Sequence, residues 1–295
     1  MLKKFIHRPL TAGRVIPAAV FLAALFTLPL SAQAGMKITV EENNGSLTII
    51  SSSGSTRELF IPETINNMPV TAIGQGAFTN KGLTSVTIPN SVTTIGEQAF
   101  SFNQLTSLTV GDSVTTIGQK AFFSNKLENV TLGQGLTEIG VGAFAENNIA
   151  EIVIPESVTT IGAYAFFFNK LKTLTIPNNV TALGEGAFSS NKLNTLVIGG
   201  AMVKVGDGAF YNNQLFDITI PPSVTEMGKQ VFESRTTQKS SKAPVDYLDD
   251  KGDVIYTTAN NFDAFYKSNG SKSGKYSFSP QDGWKFEDSA SDGVR

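Results

Sequence analysis

The sequence contains no cysteine, and its only histidine is His7. Without cysteine the chain cannot form a disulfide bond, a thiolate metal site or a thiol nucleophile, and it cannot carry a lipid-modified N-terminal cysteine. A Ser-His-Asp triad would depend on His7 alone. We therefore expect stability to come from packing, and we predict neither a cofactor nor a metal site.

The first 34 residues have the composition of a secretory signal peptide. Four basic residues precede an apolar stretch at residues 15–30, and the small-residue pattern AQA follows at 32–34. A membrane anchor is the alternative, but the stretch is short and no second run of about 18 apolar residues occurs downstream. We predict export of a chain that begins near Gly35 and has no transmembrane span, so that His7 is lost.

The balance of charge argues against a nucleic-acid partner. Beyond residue 34 the chain has 19 basic and 25 acidic residues, a net charge of −6. Such a chain has no basic patch suited to phosphate backbones. We expect a soluble secreted protein, located outside the cell, at the cell surface or in the periplasm.

A 22-residue repeat runs through the middle of the chain. Eight phenylalanines recur at this interval, and a glycine stands four residues before each of them. A fixed period of this length is typical of a solenoid, whose units stack because one unit cannot bury its apolar face alone. The phenylalanines are Phe78, Phe100, Phe122, Phe144, Phe166, Phe188, Phe210 and Phe232, and the glycines are Gly74, Gly96, Gly118, Gly140, Gly162, Gly184, Gly206 and Gly228.

Each unit also contains a short strand pattern with the form L-x-x-L-x-I. In the first full unit Val86 and Ile88 would face inward and Ser85 and Thr87 outward, because side chains alternate along a strand. Seven such strands are predicted to form one parallel sheet with about 4.8 Å between coils. The repeated glycine is expected to turn the backbone with a positive φ, and the phenylalanine to enter the solenoid axis.

Asparagines recur two residues before the leucine that starts each strand. An amide at a backbone turn can satisfy polar groups of the adjacent coil, so we interpret this column as structural. Lys81 departs from it in the first full unit. The column consists of Asn103, Asn125, Asn147, Asn169, Asn191 and Asn213.

The unit L-x-x-L-x-I-P-x-S-V-T-x-I-G-x-x-A-F-x-x-N resembles the BspA-type leucine-rich repeat. Residues 61–74, IPETINNMPVTAIG, resemble the longer first unit of such proteins and contain five residues more than the next unit. The resemblance implies a mostly β, right-handed leucine-rich-repeat solenoid of eight 22-residue units, with one parallel strand per coil. It also implies a bacterial surface protein that attaches to host matrix proteins or to other bacteria. Many members have cysteine where this chain has asparagine, so the interior contacts should differ.

The flanks predict additional elements. A hairpin around Asn44 and Gly45 would cover the open first coil, and an aromatic-rich C-terminal module would contain a short helix near residues 261–268. The predicted order is a signal peptide at 1–34, a cap hairpin at 35–55, the solenoid at 56–235, a linker at 236–244, a β-rich module at 245–287 and a tail at 288–295.

Two features of the C-terminal module suggest ligands. Its nine aromatic residues could stack on glycans, but a module of this size needs most of them for its own core. Four aspartates surround Gly252 without the D-x-D-x-D-G spacing of a calcium loop, which favours a solvated turn. The aspartates are Asp246, Asp249, Asp250 and Asp253.

The outward positions of the repeat are candidates for partner binding because they have no part in the core. On the strand face they are small and polar: Ser85, Thr87, Ser107, Thr109, Asn129, Thr131, Glu151, Thr173, Thr175 and Asp217. A second set follows the repeated phenylalanine and could either anchor a partner or add packing between coils: Phe102, Phe123, Phe167, Phe168 and Tyr211.

We therefore expect a secreted, non-enzymatic binding or adhesion protein that engages a protein or glycan at a cell surface or matrix. A column of threonines from Thr71 to Thr181 raises a structural or ice-binding alternative, although threonine also suits exposed strands. Glu97, Glu185 and Asp207 share another column, and paired carboxylates can hydrolyse glycosides. Because the intervening residues of that column are not acidic, no close pair is implied, and an enzyme is not favoured.

Overall fold

The computed structural model describes residues 25–29, 35–233, 270, 272, 274–279 and 283–287. Most of the expected signal peptide, the linker, the short helix near 261–268 and the aspartates around Gly252 lie outside these residues. Within them the regular structure consists of strands alone. The strands stack as a solenoid of 22-residue coils, which confirms the expected fold class.

An antiparallel hairpin closes the N-terminal end of the solenoid. It consists of β2 (Met36–Asn43) and β3 (Ser46–Gly54), joined by Asn44 and Gly45, which both have positive φ as such tight turns require. Alternate apolar side chains of both strands are buried over the first coil. Strand β1 (Leu25–Pro29), from the segment expected to be cleaved, pairs antiparallel with β2.

The longer first unit contains a second, smaller hairpin. After β4 (Glu58–Phe60), strands β5 (Thr64–Ile65) and β6 (Met68–Ile73) pair antiparallel. Asn66 and Asn67 connect them with φ values of 51° and 65°. Asparagine tolerates this region better than most residues, so the five additional residues form a tight turn and leave the repeat register intact.

Each later coil contributes a short strand, and every one except the coil that contains residues 149–154 also contributes a longer strand. The longer strands and the short strands form separate parallel ladders. The longer strands are β7 (Ser85–Ile88), β9 (Ser107–Val110), β11 (Asn129–Thr131), β14 (Thr173–Thr175), β16 (Thr195–Val197) and β18 (Asp217–Ile220). The shorter ones are β8 (Thr94–Ile95), β10 (Thr116–Ile117), β12 (Glu138–Ile139), β13 (Thr160–Ile161), β15 (Ala182–Leu183), β17 (Lys204–Val205) and β19 (Glu226–Met227).

The long-strand ladder is not the single sheet that the sequence predicts. Residues 149–154 have the strand pattern but form no strand, so the ladder divides into the order β11-β9-β7-β4 on one side and a sheet that begins with β14 on the other. The short-strand ladder is continuous across the same coil through β12, β13 and β15. The coils therefore remain stacked where the longer ladder is interrupted.

The repeated phenylalanines form the interior of the solenoid. All eight side chains are buried, and each ring stacks on the next with centroids 5.1 to 5.8 Å apart and interplanar angles of 1° to 12°. Buried aromatic rings are among the largest single contributors to core stability, and truncation to alanine typically costs about 3 to 5 kcal/mol. The ring column is thus a principal source of cohesion between coils.

The repeated glycines do not have positive φ, so that expectation is wrong. They are required because the coils approach closely: a Cβ added to Gly140 would lie 2.7 Å from the carbonyl carbon of Gly118, and the other glycines from Gly96 to Gly228 meet backbone of the preceding coil at 2.8 Å or less. Positive φ occurs instead two residues before and two residues after the phenylalanine. Around Phe166 these residues are Tyr164 and Phe168.

The asparagine column links successive coils through buried hydrogen bonds. In each case Oδ1 accepts the N–H of the strand leucine or isoleucine one coil earlier, at 2.9 to 3.1 Å. The amide nitrogen donates to the carbonyls of two successive phenylalanines, at 2.8 to 3.0 Å and 2.9 to 3.2 Å. Lys81, which replaces asparagine, donates its own backbone N–H to Asn103. The amides thereby satisfy backbone groups that would otherwise be unpaired in the core.

The described part of the C-terminal region joins the solenoid. Strand β20 (Gly274–Ser279) pairs antiparallel with β18, the outermost long strand, and β21 (Gly283–Glu287) pairs with β20. Tyr276 is fully buried there, and its hydroxyl donates to the carbonyl of Lys272. This hairpin covers a sheet edge that would otherwise present unpaired backbone groups.

Candidate binding surfaces

The outer face of the long strands carries two columns of side chains in register. One column contains Ser85, Ser107 and Asn129 and the other Thr87, Thr109 and Thr131, and hydrogen-bonded pairing fixes their alignment. Beyond the interruption, Thr195 pairs with Thr173 on one side and with Asp217 on the other, and Val197 pairs in the same way with Thr175 and Thr219. Most of these side chains are exposed, and the half-buried ones are Ser85, Thr195, Asp217 and Thr219. The structure therefore brings the strand-face candidates together as two groups.

Apolar side chains lie within the same columns. Phe60 of β4 aligns with Thr87 and is 58% exposed, and Val153 in the interrupted coil is 82% exposed. Glu151, another strand-face candidate, is exposed in that coil as well. A largely uncharged face with isolated apolar side chains offers contact area to a partner at a low cost of desolvation.

The threonines that directly precede the short strands form hydrogen bonds between coils. The hydroxyls of Thr93, Thr115, Thr137 and Thr159 each donate to the backbone carbonyl of the threonine one coil earlier, at 3.0 to 3.3 Å. The adjacent column is chemically mixed, with Glu138, Ala182, Lys204 and Glu226 among its members. Hydrogen bonds between coils therefore explain why threonine recurs every 22 residues. No observation on the described residues favours ice binding.

The aromatic candidates differ in exposure. Phe102 and Phe168 are 50% and 61% exposed, whereas Phe123, Phe167 and Tyr211 are half-buried. The Phe102 and Phe123 rings meet edge to face at 5.3 Å, and the ammonium of Lys120 lies 5.6 Å from the Phe123 ring centroid. Packing between coils thus accounts for Phe123 and leaves much of Phe102 accessible.

The three carboxylates considered for glycoside hydrolysis do not all lie close together. Glu97 lies four coils from Glu185, but Glu185 and Asp207 occupy adjacent coils and line one open groove of about 340 Å³ with Tyr164 and Tyr211. The Tyr164 hydroxyl donates to the Glu185 carboxylate, and Asp207 accepts the backbone N–H of Lys229 at 2.9 Å. The hydrogen bond to Glu185, followed by burial and the charge of Glu185, raises the pKa of Tyr164 above its ordinary value.

Two groups of polar residues were not singled out from the sequence. The side chains of Asn90, Asp112, Glu156 and Asn178 each accept the backbone N–H of the residue 22 positions later, which forms a second exposed ladder. Lys170 and Lys192 line a second groove beside Phe168. Their recurrence 22 residues apart is visible in the sequence and could have identified them.

Other kinds of site find limited support in the described residues. No group of three or more acidic or histidine side chains there could hold a metal ion, and the aspartates around Gly252 fall outside the ranges described. None of the residues described belongs to a helix that could cross a bilayer.

Comparison with one solved structure supports the fold. A leucine-rich repeat protein from T. pallidum is 23% identical, with a TM-score of 0.53, over 70% of this chain and 87% of that one. A leucine-rich cell surface protein from Faecalibacterium prausnitzii is 26% identical over 79% of this chain and 62% of that chain, with a TM-score of 0.48. No curated protein sequence matches the chain.

The model of one protein family matches the chain repeatedly. Its description is the BspA type leucine-rich repeat region, and six copies match within residues 55–170, 137–250 and 160–279. These matches cover most of the chain, including all eight phenylalanine-centred coils. Repeats of this family are typical of binding scaffolds in bacterial surface proteins. The resemblance seen in the repeat motif is thereby confirmed, and the chain belongs to the BspA-type leucine-rich repeat family.

Proposed function

We propose that the protein is an exported binding protein whose solenoid surface engages a protein or glycan partner at a cell surface or matrix, without catalysis. The observation that carries the proposal is the pair of exposed columns on the long-strand face. One column varies from coil to coil, for example from Ser107 to Asn129 and Glu151, and the other holds threonine or valine after Phe60, while the buried phenylalanine column is constant. Extended surfaces of this kind are the usual recognition elements of solenoid proteins.

The N-terminal sequence and the family support export. The basic and then apolar N-terminus followed by AQA has the organisation of a signal peptide. If this segment is removed, β2 loses its pairing with β1, and the hairpin of β2 and β3 becomes the N-terminal cap. Attachment to matrix or to other cells is the form of binding that the family resemblance favours.

The proposal excludes catalysis because the grouped carboxylates already have structural tasks. Glu185 accepts the hydroxyl of Tyr164, and Asp207 accepts a backbone N–H. A glycosidase needs one protonated and one ionised carboxyl on opposite sides of a sugar, and both must be free to reach it. Turnover of glycan substrates by the purified protein would contradict this part of the proposal.

Binding through the long-strand face can be tested with a matched pair of surface variants. Thr109→Lys combined with Thr131→Lys places two cations on that face, and Thr94→Lys with Thr160→Lys places two on the short-strand side. Binding to immobilised matrix extract and to intact bacterial cells is measured for each. We expect the first variant to lose about tenfold or more in affinity and the second to retain it, because desolvating unpaired charges in an interface is costly. Equal binding by both variants would contradict the proposed face.

A further inference from the structure

Phe168, like Phe102 three coils earlier, departs from the pattern of its column. The residue two positions after the repeated phenylalanine has φ between 53° and 58° in every described coil, a region that bulky side chains rarely adopt. Other coils mostly place small or polar residues there: Asn80, Ser124, Glu146, Ser190 and Asn212. Because Phe168 is 61% exposed, burial gives little compensation for the strained backbone. Strain without a gain in packing is concentrated at functional positions in proteins.

Phe168 forms one wall of an open groove of about 290 Å³. Lys170 and Lys192 lie along the groove one coil apart, and Asn148, Asn212 and Gln214 contribute amide groups. The floor consists of the buried asparagine column, whose amides already bind backbone. Among the residues that the structure describes, no carboxylate lines the groove. The accessible chemistry is therefore one aromatic face, two ammonium groups and several neutral amides.

The lysines of this groove form no ion pair with any acidic residue that the structure describes. Within the described part of the chain, Lys204 and Glu226 form the one ion pair, so neither Lys170 nor Lys192 is paired with a described carboxylate. Two lysines without an acidic partner among the described residues line one groove of a chain whose net charge is negative, which favours an anion there. Two ammonium groups on adjacent coils can contact the same anionic group from two sides.

We propose that this groove, the Phe168 groove, binds an acidic sugar unit of a glycan chain, in which the anion is a carboxylate or a sulfate ester. The inference rests on the proposed function, because it takes the partner to be a glycan, and it adds a binding site outside the long-strand face. A pyranose ring would place its C–H face on Phe168 and its anionic group between Lys170 and Lys192. Its hydroxyls would bind the amides of Asn148 and Gln214, which can donate and accept hydrogen bonds.

An acidic peptide fits this groove less well than a glycan. An extended peptide gains affinity from hydrogen bonds to unpaired backbone groups. Here the backbone N–H groups of Lys170, Lys192 and Gln214 already donate to the preceding coil, at 2.9, 2.9 and 2.8 Å. Recognition must therefore use side chains, and a ligand rich in hydroxyl groups satisfies more of the amides than a peptide carboxylate does.

The test compares four polymers with the purified protein by calorimetry or biosensor binding. Heparin fragments carry sulfate groups together with carboxylates, hyaluronan fragments carry carboxylates alone, dextran is neutral and poly-glutamate is an acidic peptide. We expect binding to heparin, hyaluronan or both, with weaker binding at higher salt. The two acidic glycans distinguish the sulfate from the carboxylate. Binding to dextran or poly-glutamate that equals binding to the acidic glycans would overturn the proposal.

Variants locate the site, and the repeat supplies matched controls. Phe168→Ser places in the coil the residue found at this position in two others, Ser124 and Ser190, so we expect folding to be retained. Its affinity for the acidic glycan should fall about tenfold, the effect of losing one stacked ring. Phe102→Ser makes the same change at an exposed phenylalanine three coils away and should leave affinity unchanged.

Charge is tested in the same way. Lys170→Gln with Lys192→Gln uses the residue found in this column at Gln104 and Gln214, and should lower affinity about tenfold or more while weakening its salt dependence. Lys126→Gln is the control in the same column, outside the groove. Equal losses in groove and control variants would overturn the site. Failure of every acidic glycan to bind, together with partner binding that depends on Thr109 and Thr131, would overturn this inference while leaving the proposed function intact.

Discussion

The repeated phenylalanine and the residue two positions after it are neighbours in every coil, yet they tolerate different substitutions. The first is phenylalanine in all eight units, buried and stacked on its counterparts. The second is asparagine, serine, glutamate or phenylalanine, and its side chain points to the outside of the coil in Phe102 and Phe168. A side chain that contacts both adjacent coils is constrained twice, whereas an exposed one is limited only by its backbone conformation.

This comparison separates the residues that make the fold from those available for recognition. The phenylalanine, the glycine four residues before it and the asparagine three residues after it each contact the neighbouring coil in the same way throughout the solenoid. Because nearest-neighbour interfaces carry much of the stability of repeat proteins, changes in these columns should affect the whole array. Changes in the outer columns should affect binding and leave stability nearly unaltered.

The largest expected effect is loss of an interior ring. Phe144→Ala would leave a cavity between Phe122 and Phe166 and should lower the free energy of unfolding by about 3 to 5 kcal/mol, as measured by urea denaturation. The same truncation at the half-exposed Phe102 removes one edge-to-face contact with Phe123 and should lower it by about 1 kcal/mol or less. Similar losses at both positions would show that the ring column does not dominate the packing.

A smaller effect should distinguish the two kinds of glycine. Gly140→Ala would put a Cβ 2.7 Å from the backbone of the preceding coil, so the coils must separate, and we expect a loss of about 2 to 3 kcal/mol. Gly142 has a φ of 62°, and its nearest obstacle is the flexible Lys120 side chain at 3.4 Å. Gly142→Ala should therefore cost only about 1 kcal/mol, the penalty of the backbone conformation. Denaturation that gives Gly142→Ala the larger loss would reverse this assignment.

The interior could be predicted well from the sequence because the period alone aligns it. Residues 22 apart occupy the same place in successive coils, so the phenylalanine and asparagine columns follow directly from the spacing. The reason for the repeated glycine did not follow, since both a positive φ and a close approach of two backbones require glycine. The short strands were also missed: with two residues each, they have no alternating pattern to detect.

The candidate sites were less predictable because they join residues from different columns. Tyr164 and Glu185 are 21 residues apart, so column alignment does not show their hydrogen bond. The Phe168 groove likewise combines the column of Phe168 with that of Lys170 and Lys192. Which columns meet at a groove depends on how the coil turns between them, and the repeat spacing contains no information on that angle.

The smallest expected effect concerns the outer pair of Tyr164 and Glu185. Since the pKa of Tyr164 is raised in the folded protein, the neutral phenol is favoured there, and its contribution to stability is complete below the ordinary tyrosine pKa of about 10. The contribution should be lost as the pH rises through the folded-state pKa of Tyr164.

Glu185→Gln removes the negative charge and keeps an acceptor, so an ultraviolet titration should show Tyr164 ionising at lower pH than in the unmodified protein. The Tyr164→Phe variant identifies which part of the absorbance change belongs to this residue. Superimposable titrations of the unmodified and Glu185→Gln proteins would mean that Tyr164 and Glu185 are not electrostatically coupled. The exposed side chains of this groove would then be as independent of the adjacent coil as the other outer residues are.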